Sequence, residues 1–64
     1  MEKEKLIDEI ITMDFYEIQQ EDEPKKFEKQ YRKQLEQLPV DVLQKYIGEE
    51  ITSEELYDSY ISKL

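Results

Sequence analysis

The chain has 64 residues, 41% charged and 38% hydrophobic, with a net charge of −8, no Cys, no His and one Gly. That composition excludes disulfides, thiolate nucleophiles, Cys- or His-based zinc sites, a histidine general base and a Gly-rich phosphate loop. The acidic balance disfavours direct contact with nucleic acid or anionic membrane, and no apolar run approaches the roughly 18 residues of a membrane span.

A chain this short buries only about 60% of its unfolded surface, so its stability rests on tight helix packing, self-association or a partner. Its apolar residues are large and regularly spaced, and they include five tyrosines and two phenylalanines. That favours a folded domain over a disordered one. A single small helical domain over residues 1–64 is the expectation: all-α, with three main helices at about 2–20, 24–38 and 53–64. A short additional helix at about 40–47 follows Pro39.

The first segment places Leu6, Ile7, Ile10, Ile11, Met13, Phe15 and Ile18 on one broad helical face. Pro24 suits the first position of the second helix, with Asp22 or Glu23 as its cap. Phe27, Tyr31, Leu35 and Leu38 then form an apolar stripe. Lys25, Lys29, Arg32 and Lys33 form a basic stripe on nearly the opposite side. Pro39 breaks the helix and pushes Leu38 towards extended geometry. In the short helix beyond it, Val40, Leu43, Tyr46 and Ile47 are expected inward, and Gly48 suits the left-handed residue past the helix end. The sequence "ITSEEL" reads as a capping box, Thr52 with Glu55, inside a hydrophobic staple of Ile51 and Leu56. Tyr57, Tyr60, Ile61 and Leu64 continue that helix on one face.

The terminal Ser62-Lys63-Leu64 has the form of a peroxisomal address. Packing accounts for the same residues: Lys63 suits a helix C-terminus electrostatically and Leu64 extends the 57/61/64 stripe. The packing reading is preferred. The N-terminal "MEKEKLIDEII" lacks the basic region and long apolar core of a secretion signal. The Lys-, Glu- and Ile-rich composition without alanine reads as a small bacterial-like cytoplasmic protein.

Charge is segregated along the chain. Residues 1–24 carry two bases and nine acids, residues 25–46 six bases and three acids, and residues 47–64 one base and five acids. The basic stripe is expected to pair loosely with its acidic neighbours, rather than to stand free for an acidic partner.

Asp14 and Glu17 are the oddest-placed residues, because an unbroken first helix would put both on its apolar face. One reading is a buried carboxylate poised for proton transfer or for capture of a partner's cation. The preferred reading leaves both acids at the rim, or has "DFYE" restart the helix as a capping box. "EDE" at 21–23 and "EE" at 49–50 lack the spacing of a calcium loop, so no metal and no cofactor are expected. Tyrosines pack their rings while keeping the hydroxyl wet, which suits interfaces.

These features lead to a small acidic, non-catalytic protein-interaction module: an adaptor, inhibitor, antitoxin or immunity-type regulator. Its partner is a protein with a basic surface. Tyr57, Tyr60, Glu54 and Asp58 are the first candidates for the binding surface, with Lys25, Lys29, Arg32 and Lys33 as a second patch. The alternative is a structural or accessory unit, a self-associating helical bundle or a minor subunit of a larger complex.

Overall fold

A computed structural model describes residues 2–64. The described residues form helices α1 (Glu2–Met13), α2 (Phe15–Gln19), α3 (Pro24–Glu36), α4 (Val40–Ile47) and α5 (Ser53–Ser59), followed by a 3₁₀ turn at Ile61–Lys63. The fold is all-α, and four of these helices have seven residues or more. α1 packs on both α3 and α4, and α2 packs on α3. Ile10, Ile18, Leu35, Leu43 and Leu56 are fully buried at the centre of one shared core. Full burial of each such side chain contributes about 1.5–3 kcal/mol.

The first segment is interrupted at Asp14, where φ is −96° and ψ is 12°. The turning path itself continues: the Asp14 N–H donates to Ile10 O and the Ile18 N–H to Asp14 O. Ile7, Ile11 and Ile18 hold the inward stripe. Met13 and Phe15, expected on that face, are exposed, with Phe15 at 56%. They flank the interrupted residue and fall on either side of the stripe.

α3 begins with Pro24 at its first turn, as its fixed φ favours. Glu23 takes the cap position without a side-chain hydrogen bond to the helix. Tyr31, Leu35 and Leu38 are buried, whereas Phe27 stays partly exposed at the α3 N-terminal end. Pro39 is extended, with ψ 150°, and its carbonyl accepts the first N–H bonds of α4. In α4, Val42 is buried and Val40 is exposed, the reverse of the expected pattern. Val40 is the first helical residue after the Pro39 corner. The inward face is centred on Leu43 and Tyr46, with Val42 beside them.

α4 ends in a Schellman motif shifted by one residue. Glu49 N–H donates to Tyr46 O at 3.1 Å, and Glu50 N–H to Lys45 O at 2.8 Å. The left-handed position is therefore residue 49. Glu49 has φ 62°, while Gly48, expected to be left-handed, has an ordinary φ of −79°. α5 starts as the sequence suggests: Thr52 Oγ1 accepts from Glu55 N–H at 3.1 Å, and Ile51 and Leu56 are both buried. After Ser59 the backbone turns at Tyr60 (φ −124°, ψ −60°) and tightens into the 3₁₀ turn. The 3.6-residue period is lost there. Leu64 is exposed instead of extending the stripe, Tyr57 is exposed as well, and Ile61 stays buried.

No helix among the described residues is long and apolar enough to cross a membrane.

Candidate functional site

Two features organise the polar chemistry: a part-buried carboxylate–phenol cluster and a cleft beside it. Residues 7, 11, 14 and 18 follow helical spacing, so Asp14 lies in the core-facing stripe between isoleucines. A carboxylate there must find donors. Tyr31 Oη of α3 donates to Asp14 Oδ2 at 2.7 Å, and Tyr46 Oη of α4 lies 2.8 Å from both carboxylate oxygens. The expectation that Asp14 and Glu17 both sit at the rim therefore holds for Glu17, which is exposed, and not for Asp14, which is half-buried. The helix does restart at Phe15, but Asp14 does not cap it with its side chain. Its oxygens are turned to the two phenols instead.

Burial raises the pKa of both phenols, and the adjacent Asp14 carboxylate raises them further by hydrogen bond and charge. Both hydroxyls are therefore protonated donors across the physiological range. Among the described residues, no buried side-chain polar atom lacks a hydrogen-bond partner. The cluster is thus a satisfied polar clamp that ties the α1–α2 junction to α3 and α4.

The cleft opens on the α5 side of this clamp. It is a cavity of about 310 Å³, floored by Ile18, Leu56 and Ile61. Phe27 and Tyr57 stand in its walls, and Asp14, Glu17, Glu21 and Glu54 supply carboxylates. A smaller depression of about 130 Å³ continues past Phe27 and Tyr57 to Gln30 and Gln34 on α3. Phe27 and Tyr31 stack as a tilted pair, with ring centroids 5.9 Å apart. The local sequence explains this shape. α5 is a seven-residue helix held to the core through Leu56 and Ile61, so its Tyr57 side is left facing α3 across a gap.

The candidate residues separate accordingly. Tyr57 and Glu54 both line the cleft, Tyr57 being 54% exposed. Tyr60 is half-buried and packs against the core, and the exposed Asp58 accepts the Ser62 hydroxyl on its backbone carbonyl at 2.6 Å. Lys25, Lys29 and Lys33 are exposed along α3. Arg32 turns towards α1, pairing with Asp8 at 2.7 Å and with Glu28 at 3.3 Å. The Asp8 hydrogen bond raises the Arg32 pKa above its already high value. Such half-exposed pairs contribute about 0–1 kcal/mol each. Lys3 Nζ reaches Glu36 O at the α3 C-terminus, a second tie between the acidic and basic segments.

Sequence reasoning did not single out Phe27, Glu17 or Glu21 as neighbours of Tyr57. It also did not pair Tyr31 and Tyr46 with Asp14. One signal for the clamp was present: an acid on an apolar stripe, together with tyrosines on two other apolar stripes. Buried tyrosines need an acceptor as much as a buried acid needs donors. No group of three or more metal-ligating side chains is assembled among the described residues. No protein-family model, curated protein or solved structure matches this chain.

Proposed function

We propose that this protein is a small, acidic, non-catalytic module that acts in the cytoplasm by binding a partner protein. The observation that carries this reading is the cleft between α2, α3 and α5, where the Phe27 and Tyr57 rings stand exposed inside an acidic rim. Exposed apolar concavities rimmed by polar residues mark interaction sites. Tyr57 and Phe27 have the residue chemistry of interface anchors: large ring area at low conformational cost. The lack of His and Cys supports a binding role over a catalytic one.

A self-associating bundle is the competing reading, and the net charge of −8 opposes it, since identical copies repel. Sedimentation at micromolar concentration and affinity capture from the protein's own cells test the two together. The expected result is a monomer that retains a protein partner and loses it on combined Phe27→Ser and Tyr57→Ser substitution. A stable dimer broken by the same substitutions, or capture indifferent to them, overturns the proposal.

A further inference from the structure

Carboxylates cover much of this surface, so their presence beside the cleft is not itself informative. The cleft differs in having acids around an apolar, aromatic-walled cavity that remains open. At about 310 Å³ it lies at the small end of ligand-binding pockets, with ample room for one long side chain. Ile18 and Leu56 are already covered by the core, so the occupant must bring a face to lie against Phe27 and Tyr57 and positive charge for Glu17, Glu21 and Glu54.

We propose that the cleft receives an arginine side chain from a partner protein, lying along the Phe27 and Tyr57 rings with its guanidinium among the rim carboxylates. This rests on the partner-binding reading above and names the chemistry of that partner. Arginine fits better than lysine for three physical reasons. The guanidinium is planar and stacks on aromatic rings, it is more weakly hydrated than an ammonium, and its forked donors match carboxylates. The charge balance is favourable because the chain as a whole is acidic, so a basic partner is also drawn in from a distance. The depression that continues past Phe27 and Tyr57 adds the Gln30 and Gln34 amides, which can hydrogen-bond the partner's flanking backbone beside the rings.

The test is an amide NMR titration of the intact protein with N-acetyl-arginine methylamide, using the neutral isostere N-acetyl-citrulline methylamide and tetramethylammonium as comparators. The expected result is saturable shifts centred on residues 17, 21, 27, 54 and 57 with millimolar affinity, as a single side chain without its protein should show. Citrulline should leave the same amides unmoved. Glu17→Gln and Glu54→Gln, both at exposed positions, should each weaken the arginine probe by about two- to fivefold with the circular dichroism unchanged. Scattered or unsaturable shifts up to about 50 mM probe overturn the inference. So do equal shifts with citrulline, or tetramethylammonium binding as well as arginine, which would make this a small-cation site. A partner captured through Phe27 and Tyr57 while the arginine probe fails would leave the binding role standing and remove this inference alone.

Discussion

Tyr46 Oη lies 2.8 Å from both carboxylate oxygens of Asp14, across 32 residues of sequence. With Tyr31 on the same carboxylate at 2.7 Å, one acid joins the α1–α2 junction to two other helices. Hydrogen bonds to a charged acceptor are among the stronger ones, and leaving their donors unpaired inside the fold is costly.

Asp14→Ala removes the acceptor from both phenols at once and should destabilise by about 2–4 kcal/mol. Tyr46→Phe loses one of the two hydroxyls and should cost about 1.5–3 kcal/mol, less than Asp14→Ala. Tyr31→Phe combined with Tyr46→Phe should be non-additive, because the two hydroxyls share an acceptor. Urea midpoints read all of these. Equal stability of Asp14→Ala and wild type would show that the clamp contributes nothing.

The same cluster sets an alkaline limit. Both phenols are raised above their ordinary value of 10.0, by burial first and by Asp14 second. A raised folded-state pKa means that stability is fully present below pH 10 and is lost as pH climbs towards the folded-state values. Unfolding free energy should therefore hold level on the neutral side of pH 10 and fall above it. The doubly substituted Phe variant should show a shallower fall. An identical slope in that variant would assign the alkaline loss elsewhere.

Glu49 carries a left-handed backbone at φ 62°, which costs a residue with a Cβ about 1–2 kcal/mol. Glycine is free of that cost but loses more backbone entropy on folding. Glu49→Gly should therefore stabilise by a net of roughly 0.5–1 kcal/mol, raising the thermal midpoint by several degrees in a domain of this size. A lower midpoint would mean that the Glu49 side chain makes a compensating interaction.

Thr52→Ala removes the acceptor for Glu55 N–H and should cost about 1 kcal/mol, with Thr52→Ser retaining most of the stability. Because α5 supplies Tyr57 and Glu54, fraying from its start should also weaken any ligand of the cleft. Unchanged probe binding in a destabilised Thr52→Ala protein would separate the cleft from the order of α5.

Leu35 and Leu43 are fully buried, and truncating either to Ala should cost about 2–5 kcal/mol. A chain of 64 residues has about 3–10 kcal/mol in total, so either variant should lose a large share of its stability and melt at a much lower temperature than wild type by circular dichroism. An unchanged thermal midpoint in both would mean that the core is less tightly packed than the burial indicates.

Helix positions were legible because each rests on a local rule. Pro24 opened α3, Pro39 separated α3 from α4, and Thr52 with Glu55 opened α5. Which turn of a helix faces inward was less legible wherever the local rule met a neighbour. Val42 displaced Val40 beside the Pro39 corner, and the tightened turn after Tyr60 left Leu64 outside. Gly48 marked the end of α4 correctly in sequence, yet the hydrogen-bond pattern put the left-handed residue one place later. The composition of the cleft could be seen in part through Tyr57 and Glu54. Its concavity could not, because it depends on how far α5 stands from α3.

Periodicity, prolines and caps act within about one helical turn, so the all-α class, the starts of α3, α4 and α5 and most of the inward positions belong to the amino-acid sequence alone, whereas the break at Asp14 and the early end of α5 do not. The Asp14–Tyr31–Tyr46 clamp and the cleft beside it belong to the tertiary structure, since they join residues 17 positions apart or more. Pairing at that range depends on the angles at which packed helices cross, and those angles are set by the whole core at once.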